Sequence, residues 1–167
     1  MNNTLNNISR FIILLVLQIV IFNNINFYGF LNPYPYVLFI LLFPINGNRL
    51  SLLITSFSIG LILDMFLNSG GIHATASLCL AYIRPTLFKF SFGLSYEYQT
   101  IKIADKITSE RVVFLLLSII IHHFILFLFE FYRLSILPTV LFRTLATTIL
   151  TFLVCVLIIY LIKPRKR

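Results

Sequence analysis

Seven positions inside or at the edges of long apolar runs could carry chemistry: Gly60, Asp64, His73, Arg84, His123, Glu130 and Arg143. An ionisable group in hydrocarbon costs about 2.5–3.5 kcal/mol on insertion scales, so each of the charged ones needs a partner or a task. Metal binding is the first chemistry to test. His122 and His123 are adjacent, and on a helix adjacent side chains point about 100° apart, so they cannot both join one ligand site. His123 and Glu130 lie two turns apart and share a face, but no HExxH, no Cys/His set and no second carboxylate within a turn supports a metal. A phosphate-cradling glycine loop, a GxSxG elbow and a paired-carboxylate site are equally absent. Cys79 and Cys155 sit in apolar runs without a CxxC spacing and read as small packing residues. The residues therefore point to no catalytic, cofactor or metal site, and to a protein that is not an enzyme.

Spacing gives the polar residues another use. Ser56, Gly60, Asp64 and Asn68 recur every four residues, as do His73, Ser77 and Ala81 with Arg84 three further on, and Arg143, Thr147, Thr151 and Cys155. Small and hydroxyl side chains at this spacing let helices approach closely, so three helices are expected to turn these stripes toward a common interior. Asp64 falls about 9 Å, and Arg143 about 8 Å, below the same membrane boundary when counted at 1.5 Å per residue. Equal depth and opposite sign make them candidate partners; the competing reading has each snorkelling to the surface separately.

These residues need membrane helices to hold them. The chain has 167 residues, 59% hydrophobic and 11% charged, with a mean hydropathy of +0.99. A soluble domain keeps roughly a quarter of its residues charged, so soluble enzymes, disulfide scaffolds and disordered tails are excluded. An all-α polytopic membrane protein with one transmembrane domain over 1–167 is expected, because lipid offers no partner to unpaired backbone groups. Spans are predicted at about 11–28, 35–45, 50–67, 72–90, 112–131 and 138–162. The second is short, eleven residues and about 16 Å, so by length alone it could be re-entrant. The fourth should bend at Pro85, with Arg84 and Lys89 reaching the interface.

Six spans with both termini cytoplasmic put eleven of the thirteen basic residues inside, as the positive-inside rule requires. The net charge of +8 follows the span ends and shows no basic face interleaved with stacking aromatics. Anionic lipid, met by the loop 93–111 and the tail Lys163–Arg167, explains it better than nucleic acid. Residues 1–9 lack a positive side chain and no small-x-small site follows Phe11–Phe22, so the first span is expected to be retained.

The run from Gly60 through Asp64, the Gly70-Gly71 turn and His73-Ala74 to Arg84-Pro85 resembles the rod shape-determining protein MreD family. Asn32-Pro33-Tyr34 and the stretch from His122-His123 to Glu130 are similar to its Bacteroidetes-type members, and the resemblance extends over nearly the whole chain. It implies a multi-pass protein of the bacterial inner membrane, a non-catalytic scaffold of the cell-elongation machinery that organises peptidoglycan synthesis and cell shape. The partners implied are an MreC-type bitopic protein, a RodA-type glycosyltransferase with its transpeptidase, and an MreB-type cytoskeleton. The implied fold resembles the substrate-binding subunits of energy-coupling-factor transporters. That supplies a rival reading, a vitamin-transporter subunit whose outward pocket would be lined by Asp64, His73 and Arg143. An intramembrane enzyme is a third class, without a nucleophile–base set to support it.

Overall fold

The computed structural model describes residues 2–29, 31–93, 108–131 and 137–162. Most of the basic loop 93–111, with Lys102 and Lys106, lies outside the described residues, as do Arg133 and the tail Lys163–Arg167. The described chain is helical: α1 (Asn2–Val20), a 3₁₀ turn (Phe22–Asn24), α2 (Val37–Leu41), α3 (Arg49–Leu67), α4 (Ile72–Phe92), α5 (Ser109–Phe131) and α6 (Leu137–Ile162). Of these, α1, α3, α5 and α6 are long and apolar enough to cross a membrane. The described residues thus form an all-helical membrane protein.

Capping residues set the boundaries that hydropathy leaves vague. α1 runs from Asn2 to Val20, starting nine residues before the predicted first span and stopping eight short of its end at residue 28, because the polar Asn-rich start is also helical and Asn23, Asn24 and Asn26 break the far end. Asn24 turns its side-chain amide back onto the carbonyls of Ile19 and Val20 (3.3 and 3.0 Å), and Asn26, Tyr28 and Gly29 all take positive φ. Asparagine competes locally for backbone groups and so ends helices that composition would extend. α3 begins where Asn48 accepts from the Leu50 and Ser51 amides, and ends at Asn68 in the left-handed conformation. The turn to α4 uses Gly70 and Gly71 at φ +68° and +95°. α4 continues through Pro85 to Phe92.

The predicted second span is the main departure. Only Val37–Leu41 is helical, about 7.5 Å of rise. Every residue from Tyr36 to Leu41 is at most 2% exposed, so this segment is enclosed by the other helices and faces no lipid. Tyr36 meets His73, and the Phe43 carbonyl meets Arg84. Those two α4 residues are eleven apart, so the segment descends alongside α4 over roughly 17 Å.

The long helices alternate in direction. α3 packs on α4, α4 on α5 and α5 on α6, while α1 touches α2 and α3. Phe88, late in α4, stacks on Phe114, early in α5, at 4.1 Å. Glu130, late in α5, meets Arg143, early in α6. The start of α1 and the end of α6 therefore lie at one end of the bundle, with the α3–α4 turn at the other.

α3 and α4 cross at Gly60. A Cβ added there would stand 2.5 Å from the His73 carbonyl oxygen and 2.6 Å from the Ala74 N and Cα, all backbone atoms. Gly60→Ala must push the helices apart and is expected to cost about 1–3 kcal/mol, as overpacking does. A lower thermal midpoint of the detergent-purified protein checks this; an unchanged midpoint would show slack at the crossing.

Candidate functional site

Asp64 closes the crossing chemically. Its Oδ1 accepts from the Ser69 hydroxyl (2.5 Å) and the His73 amide (2.9 Å), and Oδ2 accepts from the Ala74 amide (2.8 Å). Gly71, which precedes α4, has no side chain to cap it, so a carboxylate from α3 fills that role. The positive end of the α4 dipole faces the buried charge. The Asp64 carbonyl also accepts the Asn68 and Ser69 amides, so one residue binds the end of α3 to the start of α4.

His73 joins this corner to the centre. Its Nδ1 lies 3.0 Å from the Tyr36 hydroxyl, which lies 2.8 Å from His122 Nε2. A phenol has one proton, so it donates to one imidazole and accepts from the other. Beside it, the Tyr34 ring packs against His73 and His123 at 5.4 and 5.6 Å between centroids. The Tyr34 amide donates to Thr151 Oγ1 (3.0 Å), and His123 Nδ1 contacts Thr148 Oγ1 (3.1 Å). His73, His122, His123 and Tyr36 are each at most 4% exposed.

The two ends of the central segment take their hydrogen bonds from side chains. Gln18 on α1 donates to the Pro33 carbonyl (3.1 Å) and accepts from the Tyr36 amide (3.4 Å). At the other end Arg84 donates to the Leu41 and Phe43 carbonyls, and Arg10 to the Leu42 carbonyl (2.9 Å). These carbonyls close a five-residue helix and have few donors within it. Arginines at a helix C-terminus supply donors and complement its dipole.

Two expectations about charge are overturned. Asp64 does not pair with Arg143: its oxygens are taken by Ser69 and the start of α4, while Arg143 lies 3.7 Å from Glu130 and over the Phe131 ring. Equal depth did not place them on facing sides. Arg84 does not reach the interface; it turns inward, 4% exposed, onto the α2 carbonyls and the Phe88 ring. Lys89 is exposed. His123 and Glu130 share a helix face but not a site, since His123 is buried against α6 and Glu130 is 40% exposed.

The polar stripes of α3, α4 and α6 do turn inward: Ser56, Gly60, Asp64, Ser77, Thr147 and Thr151 are all buried. Among the described residues no three His, Cys, Asp or Glu side chains converge as a metal site. The Tyr36 phenol bonds the His73 and His122 imidazoles, and His123 bonds the α6 threonines, all buried between helices, which suits them to fix helix positions. A cleft opens at the opposite end of the bundle, where α1 and α3 begin, lined by Ile8, Phe11, Phe43 and Ser51 among others. The chain matches no protein-family model, no curated protein and no solved structure.

Tyr36 and Gln18, both central here, carry no sequence motif. Gln18 did have a signal, as the only polar residue between Phe11 and Phe22. Tyr36 had none, because tyrosine in an apolar stretch reads equally well as an interfacial anchor.

Tyr36→Phe strands one or both imidazole nitrogens and is expected to destabilise by about 1–3 kcal/mol for each buried group left unpaired, measured as a lowered thermal midpoint. A double-mutant cycle of Asp64→Asn with Arg143→Gln should be additive within about 0.5 kcal/mol. Coupling beyond that would restore the direct pair.

Proposed function

We propose that the protein is a non-catalytic membrane scaffold of the MreD type, organising peptidoglycan synthesis and cell shape at the inner membrane of a bacterium. The observation that carries this reading is that the residues bearing the resemblance form one mechanical joint. Gly60 allows the crossing, Asp64 caps α4, and His73-Ala74 supply the amides it caps. A scaffold needs helices held at fixed angles and an exterior free to meet other membrane segments. Hydrogen bonds here fix the interior, and aliphatic side chains such as Leu141, Leu145, Ile149 and Leu153 face outward along α6.

The transporter-subunit reading finds less support. It asks Asp64, His73 and Arg143 to line a common pocket, and each is engaged elsewhere: Asp64 with α4 amides, His73 with Tyr36, Arg143 with Glu130. In the proposed topology the central segment counts as the second of six crossings, both termini are cytoplasmic, and the fold is of the energy-coupling-factor substrate-binding type. An MreC-type bitopic protein and a RodA-type glycosyltransferase with its transpeptidase are the partners, with an MreB-type cytoskeleton on the cytoplasmic side.

Depletion in the host should round or swell the cells and scatter sites of wall insertion, seen with a fluorescent wall precursor. Affinity purification from native membranes should recover a bitopic partner and wall synthases. Normal shape with loss of vitamin uptake, or recovery of a transporter ATPase pair, would overturn the scaffold in favour of the transporter subunit. Alkaline phosphatase fused after Arg167 should be inactive, and active enzyme there would reverse the orientation.

A further inference from the structure

Between α1 and the buried central segment the chain closes into a hairpin. Phe27 and Leu31 exchange both backbone hydrogen bonds, at 2.8 and 2.9 Å. The Gly29 amide donates to the Asn26 carbonyl (3.0 Å), and the Asn26 amide donates to Asn32 Oδ1 (2.6 Å). The chain that follows is fixed in turn, Pro33 by Gln18 and Tyr34 by Thr151. The hairpin is therefore bonded at its base and held to the bundle.

Its rings point away from that bundle. Tyr28 is 89% exposed and Phe27 48%. Tyr28 also takes φ +51°, in the left-handed region that glycine or asparagine occupies at little cost and a bulky residue does not. The turn by itself does not call for an aromatic residue at this position. A backbone outlier persists where the surroundings return something for it. No charged residue and no histidine lies between Arg10 and Arg49, so the hairpin has no charge with which to steer a soluble partner.

The level of the hairpin names its surroundings. α3 runs 19 residues from Arg49 to Leu67, about 28 Å, close to a hydrocarbon core of about 30 Å. Its last turn exposes Met65 and Phe66 before the chain turns at Asn68. The hairpin lies at this same end, because it leads into Tyr34 and Tyr36, whose rings meet His73 in the first turn of α4. Val20 and Ile21, where α1 stops, are exposed as well, so apolar surface on α1 reaches the chain that enters the hairpin.

We propose that the hairpin between Asn26 and Asn32 is an interfacial anchor whose partner is the lipid surface itself. The Phe27 and Tyr28 rings lie at the boundary between acyl chains and headgroups of one leaflet, and the Tyr28 hydroxyl stays on the wet side. A phenol suits that boundary because it joins an apolar ring to a hydrogen-bonding tip. The uncharged hairpin selects no particular headgroup. This inference needs only the membrane spans and stands apart from the scaffold reading and from the orientation of the chain.

The chain contains no tryptophan, so Tyr28→Trp supplies a single reporter. The full chain is placed in phosphatidylcholine vesicles with iodide on both sides, or with lipids bearing a nitroxide at the top or at the end of the acyl chain. Emission shifted to the blue of tryptophan in water is expected, with most iodide quenching lost and the shallow nitroxide quenching more than the deep one. Met65→Trp, the ruler on α3, should give the same order. Phe27→Trp reads the hairpin with Tyr28 in place, and does so even where Tyr28→Trp folds poorly. Iodide quenching as strong as for free tryptophan would put the hairpin in water, open to a soluble partner, and overturn the proposal. Strongest quenching by the deep nitroxide would overturn it too, by placing the rings in the hydrocarbon core.

Discussion

Backbone polarity at membrane depth is the constraint on which the rest of this structure depends. The segment from Tyr34 to Phe43 is buried except for the half-buried Tyr34 and Leu42 and is not in a long helix, so its N–H and C=O groups cannot all be paired within it. Lipid would leave them unpaired at several kcal/mol each, and such backbone survives only inside protein. The bundle answers with side chains from three helices. Gln18 of α1 and Thr151 of α6 serve the upper end, at Pro33, Tyr34 and Tyr36. Arg10 of α1 and Arg84 of α4 serve the lower end, at Leu41, Leu42 and Phe43. Of the residues that look like candidates for chemistry, His73 and Arg84 hydrogen-bond to this one segment.

His73 connects that system to the second structural joint. Its amide is held by Asp64 and its ring by Tyr36, so the α3–α4 corner and the central segment share one residue. A buried carboxylate is costly unless fully bonded, and Asp64 has three donors on its two oxygens together with the dipole of α4 behind them. Disturbing any member leaves a buried group unsatisfied, which is why polar substitutions here are expected to act on stability before they act on any surface.

A bonded interior leaves the outer faces of the helices as the surface that meets the surroundings. Burial is concentrated in α2 and on the inward stripes of α3 to α6, while the outer faces are aliphatic and open to lipid or to other membrane helices. The shortness of α2 creates the backbone ends that the arginines must cap. The sequence made the inward stripes legible, because a four-residue recurrence of small and hydroxyl groups is a property of one helix. It did not make the Arg84 contact legible, since an arginine twelve residues into a span is equally consistent with snorkelling outward until the carbonyls of α2 are seen beside it.

Composition and hydropathy, read along the chain, determined that this is a helical membrane protein, where α3, α4, α5 and α6 start and stop within a few residues, and which of their faces are polar, while α1 lies eight or nine residues earlier than the span predicted for it. These are local quantities, fixed by side-chain transfer free energies and by hydrogen bonds over three or four residues. Only the tertiary structure decided which polar groups meet. Asp64 and Arg143 match in depth and charge, yet depth is one coordinate and pairing needs three. The rotation of each helix and the path of the buried segment are set by packing among all of them. That packing gave Asp64 to the amides of α4, Arg143 to Glu130, and Arg84 to a segment whose enclosure no single stretch of sequence could announce.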